Sequence, residues 1–236
     1  MRRFFFAVIL VVACATAAAA DSYEDAVSAL LREDNTRAAR LFRPLAEQGF
    51  AGAQSHLAEM YRTGQGVPQD YQEALMWYRK AAAQGDAWAQ YNLGLMYYLG
   101  QGVPQDYQEA LTWYRKVAEQ GFARAQYNLG LMYHEGNGVS QDYQEALKWY
   151  RKAAKQGLPQ AQSNLGVMYY LGQGVPQDDV RAHMWYSVAA ATLSGDHAKT
   201  AIKYRGIVAS RLTTAQIGKA REMARRCQKT KFKGCD

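Results

Sequence analysis

Beyond residue 20, the side chains most able to do chemistry are four histidines (His56, His134, His183 and His197) and two cysteines (Cys227 and Cys235). No two histidines share a metal-binding spacing such as His-Glu-x-x-His. Neither a Gly-x-Ser-x-Gly elbow nor a Ser-x-x-Lys pair occurs, so no nucleophile, base and orienting group emerge as a set. The histidines read as ordinary surface or groove residues. The sequence calls for no catalytic residue, no metal and no cofactor.

Two further patterns could suggest ligand chemistry. Gly-x-Gly recurs at Gly64, Gly100, Gly136 and Gly172, as phosphate-cradling loops do. However, Pro68, Pro104 and Pro176 lack the amide hydrogen a cradle uses, and Asp70, Asp106 and Asp178 follow two residues later. Helix termination explains these glycines better. Trp77, Trp113, Trp149 and Trp185 could line an aromatic site, but their even spacing reads as a core position shared by successive units.

That spacing reveals the elements beneath. The tryptophans lie 36 residues apart, and Ala89-Gln90-Tyr91-Asn92-Leu93-Gly94 recurs from Ala125 and, with Ser163 for tyrosine, from Ala161. A fixed period of this length marks a solenoid or array. Each unit reads as two helices. The first, over Ala87 to Leu99 in the clearest copy, carries Ala89, Leu93, Met96 and Tyr97 on one face. Gly94, Gly130 and Gly166 lie inside these helices despite a cost of about 1 kcal/mol against alanine, which points to close helix approach. Gly100 ends the helix.

The second helix, Tyr107 to Glu119, starts at Asp106 as N-cap. Glu109, three residues on, is spaced to reach back, as are Glu73 from Asp70 and Glu145 from Asp142. At Asp178 the matching residue is Arg181. Ala110, Trp113, Tyr114 and Val117 form the buried side. Gly49, Gly85, Gly121 and Gly157 end these helices.

A lone hairpin of this kind cannot bury its apolar faces, so neighbours must stack. Four full units are expected, at 51–86, 87–122, 123–158 and 159–194. A divergent helical pair at 21–50 precedes them. Two further helices follow, about 197–211 and 215–228, with Thr213 and Gln216 at capping-box spacing. The fold class is therefore all-α.

Residues 1–20 have the layout of a secretory signal: Arg2-Arg3, an apolar stretch Phe4 to Val12, and Ala18-Ala19-Ala20 before Asp21. Cleavage between Ala20 and Asp21 is the expectation, which places the protein in the periplasm or outside a bacterial cell. Val11-Val12-Ala13-Cys14 also has the form of a lipobox, with Cys14 lipidated. An uncleaved anchor is the weaker alternative, because the uncharged run is short of the ~20 residues of a spanning helix. In an oxidising compartment Cys227 and Cys235 can pair; two free thiols in a frayed tail is the other reading.

Charge is uneven. Residues 196–236 carry 11 Lys/Arg against 3 Asp/Glu, whereas 21–195 carry 15 against 18. The basic tail, with Arg221, Arg225 and Arg226 close together on the last helix, suits either a solvated face or an anionic lipid surface. Export argues against nucleic acid. Membrane contact is left to this tail or to a lipidated Cys14.

These residues resemble the Sel-one-like repeat (SLR) family, a relative of the tetratricopeptide (TPR) repeat. The resemblance rests on Ala-x-x-x-Leu-Gly-x-x-Tyr from Ala89, the Gly-x-Gly-Val loop, Asp-x-x-x-Ala-x-x-Trp from Asp106 to Trp113, and Lys-x-Ala-x-x-Gly from Lys116 to Gly121. It covers Ala51 to Ser194 strongly and the flanks weakly. It implies a right-handed α-α superhelix with a concave groove, and a role as an adaptor that binds other proteins or peptides. One cysteine-rich subgroup is linked to β-lactam binding or hydrolysis, which makes an envelope hydrolase or lactam-binding protein the alternative function. This sequence lacks that subgroup's disulfide in each repeat.

By the same resemblance, Tyr91, Asn92 and Leu95 face the groove, as do Tyr127, Asn128 and Leu131, and then Ser163, Asn164 and Val167. An asparagine row there can hydrogen-bond an extended peptide, or can bond only neighbouring helices.

Overall fold

The computed structural model describes residues 21–235. The expected signal, its cleavage site at Ala20 and the lipobox cysteine Cys14 lie outside the described residues. Asp21, the first residue described, is helical. The chain divides into two compact units, Met1–Ala110 and Leu111–Asp236.

In the first unit the helices are α1 (residues 21–31), α2 (Asn35–Glu47), α3 (Ala51–Thr63), α4 (Tyr71–Ala83) and α5 (Ala87–Leu99). The division falls within α6 (Tyr107–Glu119). In the second unit follow α7 (Ala123–Glu135), α8 (Tyr143–Lys155), α9 (Pro159–Leu171), α10 (Asp179–Ala190), α11 (Gly195–Ala209) and α12 (Thr214–Lys229). No strand occurs among the described residues. In the first unit α2 packs on α3, α3 on α4 and α4 on α5; in the second α7 packs on α8, α8 on α9 and α9 on α10, and α10 is covered by both α11 and α12.

The local chemistry explains the ends of these helices. Asp70 accepts from the amides of Gln72 and Glu73, and Asp142 from those of Gln144 and Glu145. The expected reciprocal arm takes another partner: Glu73 accepts from the Trp77 indole at 3.1 Å, and Glu145 binds Lys148 at 2.9 Å. A side chain reaching forward one turn stays on its own helix face, and these glutamates do so. The complete capping box forms at Thr213 and Gln216. Gly64, Gly100, Gly136 and Gly172 all close their helices with left-handed backbones.

The second glycine of each Gly-x-Gly has a role that termination does not explain. A Cβ at Gly174 would stand 2.5 Å from the carbonyl oxygen of Tyr143. The loop after one first helix therefore rests directly on the start of the preceding second helix. Gly130 and Gly166 are close-approach sites as expected: a Cβ would meet the Tyr150 ring at 2.7 Å and the Tyr186 ring at 2.9 Å.

Ala89, Leu93 and Met96 are fully buried, as are Ala110, Tyr114 and Val117. Tyr97 and Trp113 are half-buried, whereas Trp77, Trp149 and Trp185 are buried. Lys80 and Lys152 place their cations 4.1 and 4.0 Å over the ring faces of Trp77 and Trp149. The two tail helices begin and end within two residues of their expected bounds. Cys227 and Cys235 form a disulfide.

Candidate functional site

Two polar ladders repeat through the units, and sequence reading missed both. Gln54, Gln90, Gln126 and Gln162 are buried, and each donates to a carbonyl eight residues back, near the end of the preceding second helix. Each of those carbonyls also accepts from the amide of the glycine three residues on, so the glutamine uses the oxygen's second lone pair. Arg79, Arg115 and Arg151 each donate to a tyrosine hydroxyl 18 residues on, at 2.8 to 3.0 Å. The signal was present: both residue types recur at the period of the tryptophans. These groups bond one another and form a frame; they leave little for a ligand.

The expected groove residues do not form one uniform row. Asn92, in the first unit, is 1% exposed, and its amide donates to the carbonyl of Trp88 at 3.0 Å. It is spent on its own helix, one turn back, so an open hydrogen-bonding face does not include it. Tyr91 and Leu95 beside it are half-buried, and the Tyr91 ring tilts against Trp88 at 5.7 Å. In the second unit Tyr127, Asn128, Leu131, Asn164 and Val167 are all half-buried.

There Tyr127, Asn164 and Val167 converge on one cavity of about 210 Å³. Ser163 lines it as well. The opposite wall comes from α11 and the loop before it: Leu193, His197, Thr200 and Tyr204. Asn164 has no hydrogen-bond partner among the described residues, so both its donor and its acceptor are available. Asn128 and Leu131 do not line this cavity. Nothing in the sequence marked Thr200 or Tyr204, because the period has ended by then and neither residue has an equivalent to be compared with.

Beneath this wall Tyr186 stacks on Tyr204, with ring centroids 5.9 Å apart. Tyr186 is buried, and its hydroxyl has no partner. Burial first, and the neighbouring Tyr204 and Tyr170 next, push this phenol well above its ordinary range. It stays protonated and can donate. The cavity thus offers aromatic walls, a free carboxamide and small hydroxyls. That set suits hydrogen bonding to a backbone and packing against side chains, and holds no general acid–base pair.

The histidines lie apart in role. His56 stacks on Phe42 at 4.8 Å in the first unit. His134 bonds Gln173, His183 is buried, and His197 lines the cavity. Among the described residues no group of three His, Cys, Asp or Glu is placed to hold a metal. No described helix is long and apolar enough to cross a membrane.

The Sel1 repeat family model matches residues 17–50, 51–86, 89–122, 123–158 and 159–191. It counts the divergent leading pair as a repeat in its own right, where four units were expected. In structure the chain is similar to a protective antigen present in uropathogenic Escherichia coli strains that displays an SLR fold. Identity is 38%, the TM-score is 0.75, and the match covers 83% of this chain but 42% of that one. It is also similar to a Sel1 repeat protein from Oxalobacter formigenes, at 32% identity and a TM-score of 0.66, covering 81% of this chain and 86% of that one. No curated protein is similar enough in sequence to match.

Proposed function

We propose that this chain, which belongs to the Sel1 repeat family, is an exported, non-catalytic scaffold that holds an extended segment of another protein in the cavity of its second unit. The observation that carries the reading is Asn164. It is half-buried and without a described partner, and it lies between the Tyr127 ring and Val167 on one side and Tyr204 on the other. A carboxamide in that setting matches the paired donor and acceptor of one peptide unit, and a helical array presents such groups on rigid elements.

Export rests on the charged, apolar and small-residue stretches of residues 1–20. Expression in a bacterial host, fractionation and mass measurement test it. A periplasmic chain beginning at Asp21 is expected. A lipid adduct on Cys14 would replace cleavage with anchoring, and a full-length cytosolic chain would refute export.

Binding is tested with a displayed library of unstructured peptides selected on the pure protein. Asn164→Ala should lower the affinity of selected peptides about five- to tenfold while leaving stability nearly unchanged. Asn92→Ala should act the other way, costing stability with little effect on binding. Selected peptides that bind Asn164→Ala as tightly as the parent would sink the assignment.

A further inference from the structure

A second cavity in the same unit has different chemistry. It measures about 520 Å³ and lies where α10, α11 and α12 meet. His183 and Ser187 of α10 line it, with Arg205 and Gly206 of α11 and Arg221 and Arg225 of α12. His183 and Ser187 are one turn apart, as are Arg221 and Arg225, and on α11 Arg205 and Ala209, so each helix presents one face to the same space.

We propose that this cavity is a binding site for a compact phosphate ester, held by the guanidinium groups of Arg205, Arg221 and Arg225. The three arginines have no acidic partner among the described residues. Asp179 pairs with Arg211, Asp178 with Arg181 and Asp196 with Lys199, while Glu222 of α12 lines a different cavity. The larger cavity on the other face of α12 makes the contrast. It is lined by Arg181, Lys219 and Arg226, but Asp178 and Glu222 line it too, so its charges compensate one another.

Three like charges converging on one concavity, without a counter-charge, repel each other until an anion arrives. Guanidinium is planar and always charged, and its fork of donors fits two phosphate oxygens at once. The volume suits a small molecule. Ile202 and Ala224 add apolar wall, so an ester with a short carbon skeleton fits better than the bare ion.

The buried imidazole of His183 completes the floor. Burial first, and then Arg205 and Arg221, hold its pKa below the ordinary value. Both arginine fields therefore reach it, and it meets a ligand as a neutral ring whose nitrogens can donate or accept. Ser187 donates to the His183 carbonyl at 2.8 Å, and its oxygen lies 3.5 Å from the Nδ1 of the same imidazole.

Gly206 supplies the decisive variant. A Cβ there would meet nothing within 4 Å. Gly206→Leu therefore fills the cavity without a backbone clash and removes no charge, and leucine favours the helix. The experiment titrates glycerol 3-phosphate into the full chain by calorimetry at low salt, with inorganic phosphate as a second ligand. Far-UV circular dichroism on each variant checks the fold.

Saturable binding at one site is expected, tighter for the ester than for phosphate. Arg205→Gln, Arg221→Gln and Arg225→Gln should each weaken it about tenfold. Gly206→Leu should abolish it. Binding to Gly206→Leu equal to the parent, or no saturation with either ligand, would overturn the site. A third arm uses phosphatidylglycerol vesicles against phosphatidylcholine vesicles. Vesicle binding that free glycerol 3-phosphate competes away, and that Gly206→Leu loses, would identify a lipid headgroup as the source of the ester. Vesicle binding without any binding of the free ester would replace the cavity with a merely charged surface. This site shares no residue with the segment-binding cavity, so either can fail without the other.

Discussion

In the repeat at 51–86, His56, Glu59 and Tyr78 hold the positions that Asn164, Val167 and Tyr186 hold in the repeat at 159–194. The first set is closed on itself. Tyr78 donates to Glu59, which also binds Arg62 at 2.6 Å, and His56 stacks on Phe42. The second set is open. Val167 cannot accept, so the equally buried Tyr186 hydroxyl is left without a bond, and Asn164 lines a cavity. The backbone frame is the same in both: buried glutamine to carbonyl, the second loop glycine against the start of the preceding second helix, aspartate at the N-cap. What varies is whether the side chains of the first helix are used internally or left for something else.

The contrast is broken most strongly at the C-terminal end, where no further repeat covers α10. The helices α11 and α12 do so, and the chain beyond α12 is fastened by the Cys227–Cys235 bond. That segment turns through Lys231 and Phe232 with left-handed backbones, and the Phe232 ring lies over Gly157. Reduction, or Cys227→Ala with Cys235→Ala, should cost about 2–3 kcal/mol through the released loop, read as a lower urea midpoint for the second unit. Because Tyr204 sits on α11, affinity for selected peptides should fall with it. An unchanged midpoint would show that packing alone holds the cover in place.

A smaller effect is expected at Glu59. Glu59→Ala leaves the buried Tyr78 hydroxyl and the half-buried Arg62 without their acceptor, at a cost of about 2 kcal/mol. At the matched position Val167→Ala removes only two methyl groups from a half-exposed site, at about 1 kcal/mol or less. Equal losses in urea unfolding would erase the distinction between a closed and an open repeat.

The frame was legible in the sequence because it recurs. The tryptophans, the Gly-x-Gly pairs and the Ala-Gln steps state one hairpin several times, and one reading of it serves every unit. The site was legible only in part. Tyr127, Asn164 and Val167 line one cavity, but Asn92 has the same identity and register as Asn164 and is nonetheless buried against the Trp88 carbonyl. Residue type could not separate them, since the difference lies in what each helix packs against. Thr200, Tyr204 and the arginine-lined cavity belong to α11 and α12, where nothing repeats. Gln84 donates to the Oε1 of Gln54 and Gln156 to that of Gln126, while the buried Oε1 atoms of Gln90 and Gln162 have no partner, although Gln120 stands at the matched position after Gln90 and Thr192 after Gln162.

The smallest expected effect, and the one that isolates a single position, is the pH response of His56. Burial against Phe42 disfavours the imidazolium and lowers the pKa, and the carboxylates of Asp86 and Glu59 offset only part of this. The unfolded chain therefore takes up the proton first as pH falls. Stability contributed by neutral His56 is fully present above the unfolded value of about 6.5 and is lost as pH falls through the lower folded value. His56→Asn, which copies position 164, should flatten the fall in unfolding free energy between pH 7 and 5, whatever it does to absolute stability. Carboxylates common to both proteins cancel in that difference. Removing one offsetting charge supplies the check: in Glu59→Ala the pKa of His56 should drop further, so the histidine-dependent part of the slope should steepen. A histidine-dependent slope of the opposite sign would mean that Asp86 and Glu59 outweigh burial, and that position 56 is a charge-paired site instead of a stacked, neutral one.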